Sequence, residues 1–471
     1  MKKFFPFLEW LSTYKSSYLR GDISAGLTVG VMLIPQGMAY AMLAGLPPIY
    51  GLYASSLPLV IYALFGTSRL LSVGPMALTS LMVANALVGI PKEELLVQAL
   101  LLALLVGAIQ VGMGLFRLGF LVNFLSHPLI SGFTSAAALI IAVSQLQHLF
   151  GIDMERGMLH ESLLSLLHQI GDTHLPTLLL GSVSILLLLT LRKINKKIPA
   201  AILVVIASIL AVYWGNWSEK GIQIIGNIPA GLPTFGMPLL ESTAAQGLLP
   251  SAVAIALVGF MGSIAISKAI QNKRKDHEID PNQELIALGL ANVGAAFFQG
   301  FPTTGGLSRT AVNDQAGAQT GLASIIAASL LILTLLFLTP YFYFLPKAIL
   351  AAIIIVAVVG LFDIKEAQHL WKTDRKDFLL FVFTALATLF IGIEQGILMG
   401  IGISIIIVLY KTSTPHEAEL GRIPGTEEYR NIKRFADLEV WEDTLIMRFD
   451  AQLYFANLSY FRDRMAFLLK G

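Results

Sequence analysis

The stretch TTGGLSRTAVNDQAG, residues 303–317, sets an arginine, Arg309, three residues after a glycine pair, in a chain that is apolar on both sides of it. The glycines and the Ser and Thr side chains interrupt what would otherwise read as one long hydrophobic helix. The stretch is therefore read as a broken helix: Gly305 and Gly306 free the backbone, and a short helix restarts just ahead of Ser308. Working outward, apolar runs long enough to cross a hydrocarbon core of about 30 Å recur along most of the 471 residues. Hydrophobic residues make up 55% of the chain and charged ones 13%, where soluble domains carry about 25%. The protein is thus expected to be an all-α polytopic membrane protein.

About fourteen spans are expected. Those of the first half begin near Ile23, Ile49, Val73, Leu95, Pro128, Leu175 and Ile198. Those of the second begin near Leu248, Glu284, Leu307, Gly321, Lys347, Asp377 and Gly396. With the N-terminus assigned to the cytoplasm, basic residues crowd alternate connections: Lys2, Lys3, Lys15 and Arg20; Arg192, Lys193, Lys196 and Lys197; Lys268, Lys273, Arg274 and Lys275; Lys365, Lys372, Arg375 and Lys376. The long connections assigned outside, 150–174 and 216–246, hold only Arg156 and Lys220 besides histidines. Seven spans per half is an odd number, so the second half enters the membrane inverted, a common plan of secondary transporters. Residues 1–21 read as a basic amphipathic segment at the cytoplasmic surface rather than a cleaved signal peptide, and 22–411 as the transmembrane domain. From 412 to 471 the chain is polar, with TLIMRFD (444–450) and AQLYFA (451–456) as strands and Asn457 capping a final helix, too little to be stable alone.

In an inverted repeat, the third and tenth spans are equivalent. SRLLSVGPMALTSLM (68–82) is broken as well, with Gly74 freeing the backbone and Pro75 suited to the first turn of a helix. Two half-helix N-termini facing each other near the bilayer midplane form an anion site, since each presents unpaired N–H groups and about half a positive charge. An arginine at membrane depth costs at least about 2.5 kcal/mol on insertion scales, and a bound anion would compensate Arg309. The alternative is a brace, with Arg309 paired to Asp314 or to free carbonyls. In the first span, Pro35 loosens the helix, and Gln36 and Tyr40 share a face one turn apart, either lining a pocket or joining helices.

Several chemistries are disfavoured. The first, third and eighth spans carry no Asp or Glu in their interiors, and Glu394 reads as part of a tight turn, so proton coupling lacks an obvious carrier. No GxxxxGK[ST] loop is present, which argues against nucleotide binding, and no HExxH for a membrane enzyme. His160, His168 and His174 lack a tight ligand spacing, so no metal or other cofactor is expected. A formal net charge of +2 implies no nucleic-acid partner, and the absence of cysteine excludes disulfides and thiolate sites.

The run from Ile34 to Met82, DPNQELIALGLANV (280–293) and GGLSRTAVNDQAG (305–317) closely resemble the SulP sulfate permease family, whose animal relatives include prestin. The resemblance extends from about Asp22 to the chain's end, where residues from 425 onward look like the lead into a cytoplasmic STAS domain and its first third. It implies a fourteen-span, uracil-transporter-like fold with core and gate domains, a homodimer, and an elevator-like movement of the core. It also implies an anion resting between the third and tenth spans, touched by Gln36, Tyr40, Met76, Ser308 and Arg309, with Gly74, Pro75 and Gly306 at the helix tips. Where many bacterial and plant members carry a Glu associated with proton-coupled uptake, this chain has Gly262, which favours exchange or uncoupled passage.

The expectation is a secondary transporter of small inorganic anions in the cytoplasmic membrane, both termini cytoplasmic and lipid around it. Sulfate is the first choice, with bicarbonate, chloride or a small dicarboxylate as alternatives. A non-transporting, anion-sensing motor is one rival. A nucleobase permease of the same fold is another, and it would need an acid in the eighth span, where none stands.

Overall fold

A computed structural model describes residues 5–124, 126–154, 159–194, 199–238, 242–275, 277–441 and 443–469, side chains of 122–124 aside. Lys2, Lys3, Arg156, Lys196 and Lys197, on which part of the charge asymmetry rests, lie outside the described residues. The helices are α1 (Phe7–Ser12), α2 (Ser16–Leu43), α3 (Pro48–Phe65), α4 (Ala77–Ala86), α5 (Leu95–Leu115), α6 (His127–Phe150), α7 (Leu159–Gln169), α8 (Leu175–Ile194) and α9 (Ala200–Gly215). They continue with α10 (Ser242–Arg274), α11 (Pro281–Phe297), α12 (Leu307–Gln315), α13 (Leu322–Leu333), α14 (Lys347–Val358), α15 (Ile364–Thr373), α16 (Arg375–Phe390), α17 (Ile393–Ser413) and α18 (Leu458–Leu468). Among the described residues, nine helices are long and apolar enough to cross a membrane, and α4 and α9 are shorter apolar ones. The protein is a mostly helical, polytopic membrane protein.

The chain forms two compact units, Met1–Gly400 and Ile401–Gly471. The two units part within α17. In the first unit α2 and α10 are interior, with 72% and 67% of their apolar windows buried, whereas α8 has 22% and turns Leu179, Val183 and Leu186 outward. An apolar side chain exposed in this way on a spanning helix suits contact with lipid, where every backbone group must be satisfied within the helix.

Close helix packing relies on small residues. An added Cβ at Gly107 in α5 would lie 2.7 Å from the carbonyl of Gly289 in α11, and the reverse holds at Gly289, so the two backbones approach as only glycine permits. Helix α11 starts three residues before the expected Glu284 because Asp280 caps it, accepting from the N–H groups of Asn282 and Gln283, with Pro281 in the first turn.

Two carboxylates are buried within helices, and one of them, Asp22, lies in the helix of the first span, whose interior was read as acid-free. Asp22 lies inside α2, which begins at Ser16, and accepts from the N–H groups of Gln319 and Thr320, from Thr320 Oγ1 at 2.7 Å and from Tyr14 Oη. Glu284 accepts from Tyr62 Oη at 2.6 Å, from Thr67 N–H and Oγ1 at 2.7 Å each, and from Ser68 N–H at 3.1 Å. Each holds a segment next to one of the broken helices: 67–68 leads into the first and 319–320 follows the second. Glu394 is in the first turn of α17 rather than in a turn proper; the reversal is made by Gly392, at φ +142°.

In the second unit β3 (Glu417–Arg422) pairs antiparallel with β4 (Tyr429–Asn431) on one side and β5 (Met447–Phe449) on the other. TLIMRFD supplies β5 as expected, but AQLYFA is no strand. Asn457 Oδ1 accepts from Tyr454 N–H and its Nδ2 donates to the Gln452 carbonyl, both at 3.0 Å, which folds that segment into a turn. Asn457 is the residue before α18, yet its side chain is spent on that turn and makes no cap. The partner of β5, β3, comes instead from the polar stretch after α17, which alternation of apolar residues did not reveal.

Candidate functional site

Residues 73–74 and 304–305 form two short strands, β1 (Val73–Gly74) and β2 (Thr304–Gly305), paired antiparallel with Val73 opposite Gly305 and Gly74 opposite Thr304. Helix α4 begins just beyond β1, with Met76 as its N-cap residue, and α12 just beyond β2, with Gly306 in that position. The tips of the two half-helices therefore meet, 230 residues apart in sequence. At 1.5 Å per residue α4 and α12 are each about 15 Å long, half a hydrocarbon core. Neither N-cap residue caps its helix through a side chain, so the first-turn N–H groups remain available. Pro75 is not in the first turn as expected: it precedes the N-cap, where its ring ends the strand pairing and its carbonyl stays free for another donor.

That donor is Arg309, whose Nη1 lies 2.8 Å from the Pro75 carbonyl oxygen. The arginine is 2% exposed, at the third helical position of α12, and its side chain turns back over its own helix end: an added Cβ at Gly306 would sit 2.6 Å from Cζ. Its Nε and Nη2 are buried without a protein partner. Asp314, one of the two partners weighed for a brace, is engaged elsewhere, 2.5 Å from Lys273 Nζ and 2.7 Å from Arg274 Nε. Of the free carbonyls weighed with it, one, that of Pro75, is used. A guanidinium with no carboxylate partner among the described residues, set against two helix N-termini, gathers positive charge from three sources in one place.

Side chains that the sequence reading missed hold the second tip. Ser263 Oγ in α10 accepts from Gly305 N–H at 2.9 Å and lies 2.9 Å from Thr304 Oγ1. Asn292 in α11 accepts from Thr303 N–H at 2.7 Å and donates to the Thr303 carbonyl and to Gln110 Oε1. Thr310 Oγ1 accepts from Ser72 N–H, and Asn313 Nδ2 donates to the Leu70 carbonyl. The available signal was polar residues recurring inside apolar helices, Gln110 and Asn292 above all. An added Cβ at Gly262 meets nothing within 4 Å.

A cavity of about 470 Å³ opens beside the tips, lined by Thr28, Gln36, Arg192, Lys193, Ser308 and Gln315 among others. It brings together two of the expected site residues, Gln36 and Ser308, and Gln36 Oε1 has no partner. Tyr40, Met76 and Arg309 do not line it. Tyr40 is buried one turn beyond Gln36 and within electrostatic range of Arg309. Met76 and Arg309 lie at the tips, Met76 as the N-cap residue of α4 and Arg309 with its guanidinium held on the Pro75 carbonyl. Of the three histidines weighed for a metal, His174 bonds Thr177 Oγ1 at 2.7 Å and the Lys220 carbonyl at 3.0 Å, tying the two long connections, and His168 bonds the Leu164 carbonyl.

The model of the sulfate permease family matches residues 19–384. The chloroplastic sulfate transporter 4.1 of Arabidopsis thaliana is 43% identical over 98% of this chain and 69% of its own length. The murine solute carrier 26 family member A9 anion transporter, solved in the inward-facing state, superposes with a TM-score of 0.90 at 28% identity, over 98% of this chain and 80% of that one. The transmembrane domain of a cyanobacterial bicarbonate transporter gives 0.72 at 23% identity, over 83% and 97% of the two chains, a likeness of fold alone. With the paired half-helices, the buried arginine and these matches together, the chain belongs to the sulfate permease family of anion transporters.

Proposed function

We propose that the protein is a secondary transporter of small inorganic anions, sulfate first among them, with the anion held between the tips of α4 and α12. The observation that carries this reading is the buried guanidinium of Arg309, which leaves Nε and Nη2 unspent beside two uncapped helix ends. Burying a charge without a counter-charge is costly, and a bound anion removes that cost. Ser308 and Gln36 add neutral donors from the cavity side, Tyr40 and Met76 close the site from the helix side, and Gly74, Pro75 and Gly306 let the backbone come close.

Alternating access is the mode of transport we propose. The cavity runs from Gln36 and Ser308 to Arg192 and Lys193, which the charge pattern assigns to the cytoplasm, so this is an inward-open form with a basic mouth that concentrates anions. Fourteen spans in a seven-plus-seven inverted repeat, a core domain moving against a gate domain in the manner of an elevator, and a homodimer complete the reading. The chain would sit in the cytoplasmic membrane with both termini inside and residues beyond 412 opening a STAS domain. Gly262 favours exchange or uncoupled passage over proton symport.

The test is uptake of labelled sulfate into proteoliposomes, with bicarbonate, chloride and fumarate as competitors. Arg309→Ser should lose uptake by about 10- to 100-fold, the worth of a charge-assisted contact, with the fold unchanged. Unaltered uptake by a folded Arg309→Ser protein rejects the site, and the order of competitors decides the anion.

A further inference from the structure

One acid outside the anion site bridges the elements that carry it. Glu394, half-buried in the first turn of α17, accepts a hydrogen bond from Ser251 Oγ in α10 and another from Asn85 Nδ2 in α4, the latter at 3.4 Å. Helix α4 bears one half-helix tip at its other end, and α10 supports the other tip through the Ser263 contact to Gly305. A single carboxylate therefore ties α17 to both.

The contact adjoins a second cavity, of about 480 Å³, lined by Leu81, Ala84, Asn85, Gln145, Ile393 and Gln395 among others. The first cavity touches α2 at Thr28, Met32 and Gln36, and the second touches it at Met42 and Leu43. Between them, Gly37, Met38, Ala39, Tyr40 and Ala41 are all buried, a stretch of about 9 Å along the helix. The two cavities thus touch α2 on either side of the buried turn that carries Tyr40, and only the first is lined by Ser308.

We infer that Glu394 is a positioning residue, a latch that holds α17 against α4 and α10 and so keeps the second cavity cut off from the tips while the first is open. The inference rests on the alternating access proposed above. Ser251 and Asn85 are short side chains with no slack, and a hydrogen bond fails beyond about 3.5 Å, so a shift of α4 and α10 past α17 by even one to two ångströms releases the latch. Its release lets the second cavity extend to the anion.

The chain has no cysteine, so single introduced cysteines report each cavity: Val312→Cys for the first and Ala84→Cys for the second, in proteoliposomes, with a membrane-impermeant thiol reagent applied to either face. Adding Glu394→Ala should raise labelling at Ala84→Cys and lower it at Val312→Cys, the ratio of the two rates shifting by roughly ten-fold, the worth of a hydrogen bond to a charged group. Glu394→Gln keeps an acceptor oxygen and should restore most of both rates. Ser251→Ala should shift them in the same directions as Glu394→Ala and add nothing to it; should Glu394→Ala fail to fold, Ser251→Ala and Asn85→Ala read the same contact. Rates that do not move, or that rise together as in a loosened protein, overturn the latch. Sulfate supplies the separate control: if it moves neither rate with Glu394 intact, alternating access itself is refuted, whereas rates that respond to sulfate but not to Glu394 refute the latch alone.

Discussion

Arg309 Nη1 donates to the carbonyl of Pro75 over 2.8 Å, so the guanidinium of one half-helix is anchored on the tip of the other. The bond joins α12 to the residue just ahead of α4 and leaves two further donors, Nε and Nη2, for an anion. Arginine can do both because its planar fork carries five N–H donors; lysine carries a point charge. Arg309→Lys should therefore keep the charge and lose either the anchor or the anion contact. Uptake of labelled sulfate at subsaturating concentration is expected to fall by roughly ten-fold, with a smaller loss than in Arg309→Ser.

Gly306→Ala tests the placement of the guanidinium rather than its presence. The new Cβ would stand 2.6 Å from Cζ and 2.7 Å from Nη2, so the arginine has to leave its position over the helix end. The far end of a long side chain moves at little cost, and the melting temperature in detergent should change by no more than a few degrees, about 1 kcal/mol or less. Sulfate uptake should nonetheless drop at least several-fold. A Gly306→Ala protein with full uptake would show that the guanidinium works equally well elsewhere.

Gly262→Glu addresses coupling. Since nothing lies within 4 Å of an added Cβ, the side chain enters open space and the variant should fold normally. It is expected to gain sulfate uptake driven by an inward pH gradient beyond any response of the unsubstituted protein. Identical responses of both proteins to an imposed gradient would remove Gly262 from the account of coupling.

Glu284 predicts stability rather than transport chemistry. Glu284→Ala strips the acceptor from Tyr62 Oη, Thr67 N–H and Oγ1 and Ser68 N–H, leaving several buried donors unpaired. A loss of at least about 3 kcal/mol is expected, read as a clear fall in the melting temperature in detergent, with uptake falling as β1 loses its support.

Much was legible from residues alone because it depends on local composition. The length of the apolar runs, the bias of Lys and Arg, and the breaks at Gly74–Pro75 and Gly305–Gly306 each follow from the free energy of placing a short segment in lipid or of bending it. The nearness of Asp314 to Arg309 in sequence misled for the same reason: five residues apart on a helix, the two face different neighbours, and Lys273 and Arg274 claim the acid. Glu394 was similarly read from its place between the last two spans, and its partners Ser251 and Asn85 lie more than a hundred residues away.

By itself the sequence determined that this chain spans a membrane, that two of its helices are broken, and that an arginine stands at one of the breaks, since hydrophobicity and backbone freedom are properties of short segments. Tertiary structure alone decided that Val73 pairs with Gly305, that Arg309 turns back onto Pro75 instead of facing the cavity, and that Ser263 and Asn292 secure the second tip. Those choices depend on which buried donors find acceptors once helices far apart in the chain are packed together, and no local pattern encodes that pairing.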